Sequence, residues 1–286
     1  MLTYPTEYIE HFVSEPSLDL FSYLDENNLE DKFLVTSTKK DVTFESIAPN
    51  CLLGNGNCTN FLSFIDSNSV DLILTDPPYN LGEFMHRRNT NLVKMRENQF
   101  AYAGWDNLSQ DDWEIEMDNF FKESARILRK SGSLLLFMSL IKIETIIKLA
   151  TKYGFYYKTT GIWHKTNPMP RNMNIHFVNS TEAWVYFVYK DTSGVFNNNG
   201  KMVHDFIETS LTTAKEKKFG KHPTQKPLKL MKHFIEHLSN KNDVVLDPFM
   251  GSGSTGVAAH RLKRKFIGIE LSEEYYELSK KRIINE

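Results

Sequence analysis

The sequence predicts an α/β fold: a largely parallel β-sheet with helices packed on both faces. Val70–Thr75 (VDLILT), Ser133–Met138 (SLLLFM) and Val244–Asp247 (VVLD) are short apolar runs closed by polar or turn residues, as expected of strands buried on both faces. Lys265–Glu270 (KFIGIE) repeats the pattern, and helix-period stretches at 111–130, 142–153, 227–238 and 254–262 separate the runs. Strand and helix therefore alternate, which favours strands lying side by side with helical crossovers between them.

Residues 1–45 lean towards helix and read as an N-terminal extension to a domain covering 46–286. After the VDLILT strand and a Pro-Pro turn comes a long, polar, basic loop over 83–103, which neither the helical nor the strand period fits. Further on, Gly161–Lys165 and the aromatic, alternating Glu182–Lys190 (EAWVYFVYK) flank a loop carrying Asn167-Pro168-Met169-Pro170. That pair predicts an antiparallel hairpin at one sheet edge. Residues 191–221 form a second long, polar insertion, and loops of this length inside a compact domain are usually functional or disordered.

Composition narrows the class. With 286 residues and 41% hydrophobic content the chain can bury a full core, which excludes a disordered or fibrous protein. The net charge of −2 does not announce a nucleic-acid binder, but such a binder needs only a local basic face. Cys51 and Cys58 form neither a zinc-type spacing nor a disulfide framework, so a reducing compartment and no metal are expected. No stretch approaches the ~18 apolar residues of a membrane span. A soluble, cytoplasmic protein is the expectation.

Two motifs carry chemistry. Thr75-Asp76-Pro77-Pro78-Tyr79-Asn80 follows a buried strand directly. Its prolines stiffen the turn and aim backbone carbonyls, the Asp76 carboxylate adds an acceptor, and Tyr79 offers a flat face for a base. Acceptors for both hydrogens of an exocyclic amine would localise the nitrogen lone pair for attack. The second motif, Asp247-Pro248-Phe249-Met250-Gly251-Ser252-Gly253-Ser254-Thr255-Gly256, runs from a strand into a helix. Glycines there admit a ligand close to the backbone, and the next strand ends on Glu270, placed to grip ribose hydroxyls. By itself this second motif would also permit a nicotinamide dinucleotide.

Together the motifs resemble those of the beta-class amino-methyltransferases of DNA, in the circularly permuted order with catalysis first and cofactor last. The likeness runs from about Asn50 to the C-terminus. Gly56-Asn57-Cys58 resembles a block that normally reads Gly-Asp-Cys, Ile162–Pro170 resembles the loop that covers the target base, and His222-Pro223-Thr224-Gln225-Lys226-Pro227 resembles the segment contacting the methionine end of the cofactor. The resemblance implies a Rossmann-like S-adenosylmethionine-dependent methyltransferase fold. It implies catalysis by Asp76, Pro77, Pro78 and Tyr79. Cofactor contacts would come from Asn57, Cys58, Asp76, His222, Thr224, Lys226, Asp247, Pro248, Phe249, Gly251, Ser252, Gly253, Ser254, Thr255, Glu270 and Leu271. Asn57 replaces the family's usual acid, an exchange that keeps hydrogen bonding to adenine edges. Asp at position 76 accompanies adenine N6 as target, whereas Ser accompanies cytosine N4.

DNA is the implied partner, with Arg87, Arg88, Lys94 and Arg96 in the first long loop, Lys165, Asn167 and Arg171 around the base-covering loop, and Lys217 and Lys218 before HPTQKP as candidate contacts. These charges could equally be a solvated surface. A homodimer and a companion restriction endonuclease are further expectations from the resemblance. Methylation of cytosine N4, or a catalytically idle DNA-binding subunit, are the competing readings.

Overall fold

The computed structural model describes residues 10–12, 21, 32–36, 41–81, 108–170, 173–174 and 177–285. The basic loop at 83–103, with Arg87, Arg88, Lys94 and Arg96, lies outside the described residues, as does Arg171. The strands in chain order are β1 (Glu10–Phe12), β2 (Lys32–Thr36), β3 (Asp41–Ala48), β4 (Cys51–Asn55), β5 (Val70–Thr75), β6 (Leu128–Met138), β7 (Phe155–Lys165), β8 (Thr181–Tyr189), β9 (Phe206–Thr209), β10 (Val244–Asp247) and β11 (Lys265–Glu270). The helices that matter below are α1 (Cys58–Leu62), α2 (Gln110–Ile127), α3 (Ile143–Lys152), α4 (Leu228–Leu238), α5 (Ser254–Arg261) and α6 (Glu273–Asn285).

All the described strands join one sheet in the order β1-β2-β3-β4-β11-β10-β5-β6-β8-β7-β9. The middle five, from β4 through β11, β10 and β5 to β6, are mutually parallel. Their C-terminal ends therefore share one rim, the usual ligand side of an open α/β sheet. The hairpin of β7 and β8 is antiparallel, as expected, and β8 also runs antiparallel to β6. It lies one strand in from the edge, however, because Phe206–Thr209, inside the polar 191–221 insertion, pairs parallel with Ile162–Lys165. At the other side β3 straddles the expected boundary at residue 45 and pairs antiparallel with both β2 and β4, so β1, β2 and the start of β3 add strands to the sheet within an extension expected to lean towards helix.

The core explains the strand sequences. Alternate residues of β5 and β6 point to opposite faces: Ile73, Leu134, Leu136 and Met138 meet Trp113, Phe120 and Phe121 of α2 and Ile146 of α3. Leu72, Leu74, Leu135 and Phe137 meet Leu230 and Phe234 of α4, Val257 of α5 and Ile283 of α6. A strand covered on both faces is apolar at most of its positions, which is why VDLILT and SLLLFM read as nearly continuous runs. Trp184 and Tyr186, of the aromatic, alternating β8, are buried. Helix α2 starts where Ser109 caps the Asp112 N–H at 3.1 Å, with Asp111 and Asp112 favourably placed in the first turn. Among the described residues no helix is long and apolar enough to cross a membrane.

Candidate active site

Strand β5 delivers Asp76 to the ligand rim. Pro77 is buried, and the Pro78 carbonyl accepts a hydrogen bond of 2.9 Å from the indole N–H of Trp113 on α2. That bond fixes the turn and leaves the neighbouring Pro77 carbonyl without a hydrogen bond among the described residues. Asn80 closes the turn in the left-handed region at φ 48°, a conformation that Asn tolerates better than most residues.

Around Asp76 lies a cluster of charges drawn from four parts of the chain. Its Oδ1 accepts from the Tyr79 hydroxyl at 2.7 Å, and its Oδ2 is paired with the Lys226 ammonium. Lys226 also sits 3.2 Å from Glu182 Oε2 on β8, Glu182 Oε1 lies 2.7 Å from Lys165 Nζ on β7, and the Tyr79 hydroxyl reaches Glu182 Oε2 at 3.3 Å. Two carboxylates thus balance two ammonium groups. Burial pushes the Asp76 carboxyl above the usual carboxylate range, Lys226 opposes that push and Glu182 adds to it. Burial also holds the Tyr79 hydroxyl protonated, with Asp76 and Glu182 as further causes. Each Asp76 oxygen uses one protein donor and keeps acceptor capacity for another.

The glycine turn is built differently. Asp247 is buried and engaged on both oxygens: Oδ1 accepts from Thr75 Oγ1 at 2.7 Å and from the Phe249 N–H at 3.2 Å, and Oδ2 accepts from Thr255 Oγ1 at 2.6 Å. Burial raises its carboxyl to about 6. Asp247 and Thr255, expected at the cofactor, use their side chains to tie β5, β10 and α5 together. Pro248 is buried, and Phe249 packs on Phe120. Ser252 and Ser254 lie under Arg282 of α6, whose Nη1 donates to the Ser252 carbonyl and hydroxyl and to Ser254 Oγ at 2.7–3.2 Å. Gly251 (φ 54°) and Gly253 (φ 74°) both take left-handed backbone. A Cβ on Gly253 would stand 2.8 Å from Ser279 Cβ, so close packing on α6 requires that glycine.

At the far side of the rim the Glu270 carboxylate accepts the Gly251 N–H at 2.7 Å and the Ser272 N–H at 2.9 Å, and burial lifts it to about 7. Asn55 donates to the Glu270 carbonyl at 2.8 Å, which brings the Gly56–Cys58 block alongside Glu270 and the half-exposed Leu271. Asn57 caps α1 by accepting the Thr59 N–H at 2.9 Å. Burial pushes the thiols of Cys51 and Cys58 up to about 12, so neither is a nucleophile.

The 222–226 segment spans the two turns. His222 accepts the Thr224 N–H on Nδ1 at 3.3 Å, which leaves the proton on Nε2; that Nε2 is buried without a partner and sits 3.2 Å from where a Gly251 Cβ would be. Burial pushes the imidazole down to about 4, so it is neutral. Four residues later Lys226 reaches Asp76.

A family model described as DNA methylase, for N6 and N4 methyltransferases, matches residues 70–281. The chain belongs to this family. It is 34% identical over 245 residues to the type II methyltransferase M2.LlaDCHI of Lactococcus lactis subsp. cremoris, a match covering 82% of this chain and 89% of that one. M2.DpnII of Streptococcus pneumoniae is 33% identical over 242 residues, covering 81% and 89%. The crystal structure of the M1.HpyAVI–SAM complex is 29% identical with a TM-score of 0.60, covering 82% of this chain and 99% of that one.

In this DNA methylase the expected catalytic and cofactor residues gather on one rim, and the expected DNA contacts fare unevenly. Lys165 has its side chain only 11% exposed and paired with Glu182, so it belongs to the charge cluster and not to a phosphate-binding surface. Asn167 is exposed, with its Oδ1 accepting the Leu211 N–H at 2.7 Å. Lys217 and Lys218 lie at a short 3₁₀ turn, Lys218 exposed. Sequence reasoning missed Glu182, Arg282 and Trp113. The acid opening EAWVYFVYK was the one available signal for the first, because a strand otherwise apolar at each buried position retains a carboxylate only where a partner awaits it.

Proposed function

We propose that this methylase transfers a methyl group from S-adenosylmethionine to N6 of adenine in DNA. The observation that carries the reading is Asp76, where an N4-cytosine enzyme would tend to have Ser, beside a Pro77 carbonyl with no hydrogen bond among the described residues. The residues fit the cofactor: Gly251 leaves room beside the unpartnered His222 Nε2, and Glu270 has acceptor capacity left for ribose hydroxyls. Asn57 and Leu271 border the adenine end, and His222 and Thr224 the methionine end. When bound, S-adenosylmethionine supplies an electrophilic methyl on a sulfonium.

The chain's own part is positioning. An adenine swung out of the helix stacks near Tyr79, and Asp76 and the Pro77 carbonyl accept its two N6 hydrogens, which turns the nitrogen lone pair outward for attack. No covalent nucleophile is needed, so preorganised acceptors in a partly dry site supply most of the acceleration. Lys217, Lys218 and Asn167 flank the DNA. A homodimer, a companion endonuclease and a cytoplasmic location complete the reading. The test is transfer of labelled methyl to duplex DNA followed by hydrolysis to nucleosides. N6-methyldeoxyadenosine is expected; N4-methyldeoxycytidine alone overturns the base assignment, and unlabelled DNA overturns the activity.

A further inference from the structure

The charge cluster around Asp76 contains two groups for which methyl transfer as derived above has no use. Lys226 lies in a segment read as a cofactor contact, yet its side chain is 7% exposed and its ammonium is spent on Asp76 and Glu182. Glu182 comes from β8, two strands from β5 across β6, and reaches Tyr79, Lys226 and Lys165 at once. We propose that Lys226 and Glu182 are positioning residues for the catalytic carboxylate, Lys226 acting as its counter-ion and Glu182 as the acid that divides that counter-ion's charge. This rests on the reading of Asp76 as the acceptor of the target amine.

The physical case is one of balance. An ionised carboxylate withdrawn from water without a partner protonates, and a protonated Asp76 could accept only through one weak oxygen. Lys226 keeps it charged. A lysine paired with Asp76 alone would in turn cancel most of the negative potential that the amine needs. Glu182 draws part of the ammonium's field away, and Lys165 behind it keeps Glu182 ionised. The groups facing Asp76 are Lys226 from before α4, Glu182 from β8, Tyr79 from its own turn and Asp247 from β10.

On this proposal the two positioning residues pull the Asp76 titration in opposite directions, Lys226 down and Glu182 up, as their charges beside it require. The experiment is single-turnover methyl transfer at saturating cofactor and DNA across pH, for wild type, Lys226→Met, Lys226→Arg and Glu182→Gln, with cofactor affinity by calorimetry. Lys226→Met should lower the neutral-pH rate about a hundredfold and move the acid limb up by about one pH unit. Glu182→Gln should move that limb down. Lys226→Arg should recover to within about tenfold of wild type, and cofactor affinity should stay within about threefold throughout. Limbs that move together, or not at all, overturn the proposal, as does a Lys226→Met defect that lies in cofactor affinity. If Lys226→Met does not fold, an unmoved limb in Glu182→Gln overturns it. Nucleoside analysis of the same reactions keeps the readings apart: a product other than N6-methyladenine sinks the base assignment and leaves the opposing pH shifts intact.

Discussion

Two acid-bearing turns, Asp76–Asn80 after β5 and Asp247–Gly253 after β10, leave neighbouring parallel strands at the same rim, and each begins Asp-Pro. Their acids do opposite work. Asp76 has a side chain 23% exposed, faces a counter-ion and keeps acceptor capacity on both oxygens. Asp247 is 3% exposed, and its three donors come from Thr75, Phe249 and Thr255. On the proposed reading, the side chain of the first turn meets the substrate, whereas in the second the side chain builds the frame and the backbone around Gly251 is left to meet the ligand. The difference lies in who donates to the carboxylate, which no local motif states.

The comparison is broken most directly at Asp76. Asp76→Ala should nearly silence single-turnover transfer, and Asp76→Asn should lower it by about two to three orders of magnitude, as removal of one preorganised polar group does. Cofactor affinity measured by calorimetry should persist in both. Near-normal turnover in Asp76→Ala would collapse the distinction between the turns.

Asp247→Ala should instead strike stability. It strands the hydroxyls of Thr75 and Thr255, so urea unfolding should show a loss of about 2–4 kcal/mol, with turnover per folded molecule far less affected. Asp247 also predicts a pH signature. Its carboxyl rises from an ordinary 3.8 to about 6 on folding, so the contribution is stabilising below about 3.8 and is lost as pH rises through 6. Asp247→Asn lacks this titration, so its deficit relative to wild type should shrink between pH 4 and 7.

Within the glycine turn a finer contrast follows. Gly251→Ala places a methyl 3.2 Å from His222 Nε2 and should weaken cofactor binding roughly tenfold or more, whereas Gly253→Ala meets Ser279 and should cost about 1–3 kcal/mol of stability. Equal effects of the two on affinity would mean that both glycines line the ligand.

The smallest effect is expected at Lys217 and Lys218. Replacing both by Ala should flatten the slope of log DNA affinity against log salt by roughly one per lost phosphate contact. An unchanged slope would assign them to ordinary surface.

Much of this was legible in the chain itself. The double-sided strands β5, β6, β10 and β11 announced themselves because burial on both faces demands nearly unbroken apolar runs. Strand β4, five residues opening on Cys51, and β9, four residues of FIET with alternate exposure, carry too little pattern to stand out, and their pairing is decided by distant partners. At the candidate site, Asp76, Gly251 and Glu270 stood out in the sequence because each sits in a compact motif or closes a strand beside one. Glu182 and Arg282 did not, and Lys226 stood out only as a cofactor contact and not as the partner of Asp76, since each is defined by a partner at least 28 residues away. A buried arginine and a solvated one look alike in a helix such as EEYYELSKKRIIN.

The sheet order has a consequence for how the molecule is made. Strands β11 and β10, residues 244–270, fill the gap between β4 at 51–55 and β5 at 70–75. On the ribosome, β4 and β5 therefore emerge more than 150 residues before the strands that will separate them. Through most of synthesis the two early strands wait with exposed edges, and pairing them with each other would be a trap. The glycine turn and Glu270 arrive with the inserted strands, so if they cradle the methyl donor as proposed, the nascent chain gains that cradle only once the sheet has been closed from the middle.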